Sequence, residues 1–281
     1  MNELPFVIER AVRRYEKIET DGLILWPVRV KEYNEFLIAK PALEIMHQSL
    51  PVAMMRIPLL VALYKMDYEA AISGKPPTGL FSRALLALAL SLRLGEGQEA
   101  EERLKQFRVA VERGKPEALL RVCWTDGRGE EKSITPAQFQ NLRRIIAAQN
   151  GVKVESDKAN PNIVQAQKDL GANGVQLDAN VYDLVSAVSA LSGVGEAEID
   201  EWPIMRLEAA SRSWRRILDY LICGFGEVNG TTWKNGNPTP HPFFGRARDG
   251  GGAMRVLDSG AGQTVPGTVQ KMIDYGKQFL K

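Results

Sequence analysis

The sequence predicts a mainly α protein with one small antiparallel β meander. Three observations carry this. Apolar residues recur at three- and four-residue steps through most of the chain, the period of a helix with one buried face. Several of these segments open on a capping residue followed by proline, as at Thr135-Pro136 and Asn160-Pro161. Only residues 107–134 have strand-like patterning around a hairpin signal, Asp126-Gly127. At 281 residues, 44% hydrophobic and 25% charged, the composition is that of a globular chain and excludes disordered, collagen-like and coiled-coil classes. The length suits one large domain or two smaller ones. The pattern divides into an N-terminal helical region (1–106), a β meander with helices (107–230), and a glycine-rich C-terminal segment with a short terminal helix (231–281).

In the first region Trp26-Pro27-Val28-Arg29-Val30 reads as extended, because proline restricts the residue before it. Tyr33, Phe36 and Leu37 then share a helical face, and Leu50-Pro51 ends that segment. Residues 52–66 read as a second apolar helix, broken or kinked at Pro58. Lys75-Pro76-Pro77-Thr78-Gly79 is a loop. Residues 80–94 are apolar almost all round and predict a central helix, ended by Gly95 and Gly97. The glutamate-rich stretch 98–108 reads as a solvated helix.

The expected strands are 107–111, 118–124 and 130–134, and a sheet this small needs a helix over one face. Thr135, Pro136 and Gln138 form a helix start with a capping box, and Phe139, Leu142, Ile145 and Ile146 its inner stripe. Asn150-Gly151 is its left-handed stop. A helix is expected from Asn160-Pro161 to about Leu170, and Gly171-Ala172-Asn173-Gly174 is a loop. Asn180 caps the next helix, with stripe Tyr182, Val185, Val188 and Leu191, ended by Gly193. A long helix over 203–224 offers Met205, Trp214, Ile217, Leu218, Leu221 and Ile222 to a core. Gly245, Gly250, Gly251, Gly252, Gly260, Gly262 and Gly267 predict a flexible segment before a helix near 269–280.

Catalytic and metal-binding equipment is sparse. Two cysteines (Cys123, Cys223) and two histidines (His47, His241) are far apart, which argues against a zinc site and a disulfide framework. Gly250-Gly251-Gly252 is followed by no Gly-Lys-Ser/Thr, so no phosphate loop is expected. Ser192-Gly193 and Ser259-Gly260 lack a nucleophile elbow. The pairs Glu101-Glu102 and Glu130-Glu131 are adjacent rather than opposed across a cleft. No catalytic, cofactor or metal residue is expected, and the chain reads as a non-enzyme. It opens without a basic segment leading into an apolar one, and its most apolar run, 84–92, is about half a membrane span. A cytoplasmic protein without membrane contact is the expectation.

Net charge is +2, no global field for nucleic acid. The basic residues concentrate toward the C-terminus: from residue 203 onward there are 11 Lys and Arg against 6 Asp and Glu. Arg206, Arg212, Arg215 and Arg216 lie on one expected helix, with Arg212 and Arg216 on one face. They read as a partner-facing or solvated side, with nucleic-acid contact as the weaker reading. Trp233-Lys234-Asn235-Gly236-Asn237-Pro238 is an aromatic turn, where Trp233 either packs internally or anchors a partner. Arg212, Arg216, Trp233, Asn235 and Pro238 are the candidate partner-binding residues.

Three blocks resemble proteins of the tail-morphogenesis region of tailed bacteriophages and prophages, chiefly of Firmicutes. The first is Trp26-Pro27-Val28-Arg29-Val30-Lys31-Glu32-Tyr33, similar to a Pro-Val-Lys-Val-Lys-Asp-Tyr opening. The second is the helix over 139–151 with its Arg-x-Ile-Ile-x-x-Gln-Asn-Gly ending. The third is Lys234-Asn235-Gly236-Asn237-Pro238 after an arginine-rich helix. They occur in the same order and span most of the chain, whereas residues 250–262 and the final helix match no such pattern. The resemblance implies a tail assembly chaperone, a helical adaptor that holds tape-measure protein while tail-tube subunits assemble, acting in the bacterial cytoplasm without cofactor. A tail, neck or baseplate component retained in the virion is the alternative, and a small nucleic-acid-binding factor a third. No functional residue carries over from the resemblance.

Overall fold

The computed structural model describes residues 5–154 and 180–229. Among them are nine α-helices and two small antiparallel sheets, so the chain is mainly α with minor β. The compact units are Met1–Glu208 and Ala209–Lys281.

In the first unit, α1 (Phe6–Arg13) leads to a hairpin of β1 (Ile18–Thr20) and β2 (Leu23–Leu25). This second sheet is absent from the sequence expectation. Its turn is Asp21-Gly22, both with positive φ (50° and 73°), which suits the twist of a two-residue hairpin. α2 (Tyr33–Glu44) follows a 3-10 turn at Val30–Glu32 and ends before Leu50-Pro51, at Glu44.

Pro58 does not kink a helix over 52–66. It stands immediately before α3 (Leu59–Ile72), with extended ψ, and residues 52–56 form turns. Proline disfavours helical geometry in the residue before it, so the helix starts after it. α4 (Leu80–Leu92) is the central helix: every residue from Ala84 to Ser91 is buried. Its first turn is capped from outside, as Asp67 of α3 accepts from Gly79 N (3.0 Å) and Phe81 N (3.1 Å). Only α5 (Ala100–Leu104) forms in the stretch 98–108, and its Arg103 is 1% exposed, so a fully solvated helix is not what forms there.

The predicted meander is β3 (Arg108–Glu112), β4 (Lys115–Thr125) and β5 (Glu131–Ile134), in that order. Ala110 pairs with Arg121 and Val111 with Leu119, leaving Leu120 unopposed. That bulge shifts the alternation so that Leu119, Val122 and Trp124 are all buried, while Leu120 is exposed. α3 and α6 (Pro136–Gln149) pack against β4. At the start of α6 the Thr135–Gln138 capping box is complete.

One apolar core runs from Ile18 to Val152 and includes Ile204, so the residues on either side of position 106 share it. α7 (Val181–Ser192) is capped by the Asn180 side chain and buries Val181, Val185 and Val188. Tyr182 and Leu191, expected in that stripe, are exposed, and the Tyr182 hydroxyl instead accepts from Asn34 Nδ2. α8 (Glu196–Asp200) leads to α9 (Ile204–Val228), a 25-residue helix. Of its expected core residues, Leu218, Leu221 and Ile222 are exposed and Met205, Trp214 and Ile217 half-buried; the residues the helix buries are Ile204 and Leu207, which the sequence expectation did not name. The helix expected from Asn160-Pro161, the Gly171–Gly174 loop, the glycine-rich segment and the terminal helix lie outside the described residues.

Candidate functional site

α9 starts from a fixed base. Arg29 and Pro203 form an isolated antiparallel bridge, Val30 N donates to Trp202 O (2.9 Å) and Ile204 N donates to Val28 O (3.0 Å). Beneath this lies an ion network that the sequence reading missed. Arg29, Glu32 and Arg103 are each under 5% exposed. Glu32 Oε1 accepts from Arg103 Nη2 (2.8 Å) and Arg29 Nη2 (3.3 Å), and Glu32 Oε2 from Arg29 Nε (3.3 Å). Arg103 also donates to the carbonyls of Leu94 and Gln98, each at 3.1 Å. Arg29 Nη1 reaches outward to Glu96 (2.6 Å) and Glu201 (3.0 Å), and Lys31 pairs with both.

The network ties four segments together: the extended residues before α2, the loop after α4, α5, and the residue that ends α8. Hydrogen bonding from Arg29 holds the Glu96 carboxyl below the ordinary carboxylate range, and Lys31 does the same for Glu201. Burial opposes the charge on Arg29, but its bonds with Glu96 and Glu32 outweigh that, and its pKa rises. Beside it Arg93, at φ 56°, stacks 4.0 Å from the centre of the Trp26 ring. Burial, then the nearby Arg29, lowers the pKa of Arg93. An open cleft of about 490 Å³ borders Glu32, Glu35, Glu96 and Glu99. Arg29 and Arg103 hold the Glu32 carboxylate between two buried guanidinium groups. Chemically this is a clamp.

The second unit presents a different surface. Within residues 209–228 of α9, the exposed apolar side chains are Leu218, Leu221, Ile222, Phe225 and Val228. Their steps of three, one, three and three put them on one face of the helix. Arg212 and Arg216, one turn apart, are exposed on the preceding turns, and Arg215 faces Asp219 at 3.9 Å. Asn229 closes the helix by donating from its side chain to Phe225 O (2.8 Å). The helix continues past the stop expected at Gly224, which adds Phe225 and Val228 to the row. Arg212 and Arg216 thus sit on the helix that bears the row, while Trp233, Asn235 and Pro238 lie outside the described residues. Among the described residues no group of His, Cys, Asp and Glu is arranged to hold a metal ion, and no helix is long and apolar enough to cross a membrane.

Comparison with known protein families, curated proteins and solved structures finds no match to this chain.

Proposed function

We propose that this chain is a non-enzymatic phage tail assembly chaperone that binds tape-measure and tail-tube proteins in the cytoplasm of the bacterial host. The observation that carries the reading is the exposed row Leu218, Leu221, Ile222, Phe225 and Val228 on α9. Isolated apolar residues on a surface are ordinary, but a contiguous helical row of them is the form an adaptor uses to hold a helical client. The phage-like blocks supply the biological setting. Their first two members support the fold: Val28 and Arg29 in one, Gln149 and Asn150 in the other, are buried and hydrogen-bonded.

Co-expression with the tape-measure and tail-tube proteins of the same phage, followed by pull-down, tests this. The wild type should retain the tape-measure protein, and Phe225→Ser should release it without loss of helix content. Failure of the wild type to retain either protein would overturn the reading.

A further inference from the structure

Helix α1 has two sides of opposite character. Ile8, Ala11 and Val12 fall on one side, and these residues pack against the core. Phe6, Val7, Arg10 and Arg13 fall on the other, within an arc of about 120° at the helical repeat, and all four are exposed. Phe6 is 77% and Val7 76% exposed. Among the described residues, neither Arg10 nor Arg13 has a side-chain hydrogen bond or ion pair. Arg14 shares the arc and reaches Glu16 only at 3.8 Å, with both side chains more than half exposed. The one carboxylate on α1 is Glu9, half-buried at the edge of the arc beside Arg13.

Protruding apolar side chains set among unpaired cations fit an occupant that is anionic at its surface and apolar beneath. A protein partner fits less well. Eight residues make a helix of about 12 Å, and one side of it falls far below the area of a stable protein interface. A bilayer needs no groove and no minimum patch, because each inserted apolar group and each cation near anionic headgroups adds its own increment. Nucleic acid would attract the arginines, but Val7 offers a base neither a ring to stack on nor a hydrogen bond.

We propose that α1 seats the chain on an anionic lipid surface. Phe6 and Val7 enter between the headgroups, and Arg10, Arg13 and Arg14 lie beside the anionic ones, while Ile8, Ala11 and Val12 keep the helix docked on the core. The helix lies on the bilayer rather than spanning it. The sequence expectation of no membrane contact rested on the lack of a leader and of a spanning run, neither of which bears on a helix lying at the surface. The proposal goes beyond the client-binding reading and does not rest on it.

The test is co-sedimentation of the full chain with vesicles of phosphatidylcholine, either pure or with about one third phosphatidylglycerol. Binding should be at least about tenfold stronger to the anionic vesicles and should fall as salt rises. Each cation near such a surface strengthens binding roughly fivefold, so Arg10→Ala with Arg13→Ala should weaken it about 25-fold. Phe6→Ser with Val7→Ser should weaken it at least about tenfold. Circular dichroism and the melting temperature should stay near wild type in both variants, because all four side chains are exposed. Binding to neither vesicle, or equal binding to both, overturns the inference. Binding that survives all four substitutions does so too, since another surface would then carry it. An unchanged Phe6→Ser with Val7→Ser variant overturns the insertion and with it the proposal. Tighter binding to a single-stranded DNA oligonucleotide than to vesicles, lost in Arg10→Ala with Arg13→Ala, would make the occupant a nucleic acid and also overturns it.

Discussion

The backbone N–H of Val28 donates to Oδ1 of Asn150 at 2.8 Å, across 122 positions of sequence. Asn150 Nδ2 donates in turn to Ile146 O (2.8 Å), and Gln149 Nε2 to Leu25 O (3.2 Å). The end of α6 thereby supplies hydrogen bonds to the last residue of β2 and to the extended stretch that follows it. Residues 26–33 and 139–151 meet here, far apart in sequence.

Asn150→Ala should cost about 1–3 kcal/mol, because it leaves the buried Val28 N–H without its acceptor. Urea denaturation should show a lower midpoint at an unchanged slope.

Glu32→Ala should cost more, about 3–5 kcal/mol, since it removes the carboxylate between two buried guanidinium groups. Arg29 keeps Glu96 and Glu201, but Arg103 is left with backbone carbonyls alone. Replacing Arg103 with Met in the Glu32→Ala background should be less harmful than the two single losses added together, which a double-mutant cycle measures.

Acid should weaken the same clamp. The folded pKa values of Glu96 and Glu201 are depressed, so their contribution is present above the unfolded carboxylate pKa of about 4.3 and is lost as pH falls through the folded values. Both carboxylates are about half exposed, so solvent screening keeps the effect modest. Glu96→Gln with Glu201→Gln should lower stability at pH 7 and shrink the difference from wild type toward pH 3, as read from melting temperatures across that range.

Gly151 has φ 69°, and a Cβ built there would collide with the thioether of Met205. Gly151→Ala should therefore destabilise by more than about 1 kcal/mol. Met205→Ala should relieve the collision but not the backbone strain, so the double variant should recover only in part in thermal melts.

The parts legible in the sequence are those held locally. Thr135, Pro136 and Gln138 lie within one turn, and their capping box needs nothing from the rest of the chain. The apolar circumference of α4 likewise announces a helix with neighbours on all sides. The β1–β2 hairpin was missed because three-residue strands carry too little alternation, although Asp21-Gly22 was the signal that could have found it. Glu32 and Arg103 read as surface residues by type; only the return of residues 202–204 beside Arg29 and the turn after α4 enclose them. The exposed row of α9 was legible as a stripe. Its spacing marks one face but does not say whether that face is covered, so Leu218, Leu221 and Ile222 read as core.

Quantitative mass spectrometry of purified mature particles, set against the infected-cell lysate, tests the assembly-factor account most directly. The account predicts the chain in the lysate and its absence from particles at the level of any tail subunit. Its presence in particles in fixed stoichiometry with tail proteins would contradict the account and make the chain a component of the virion.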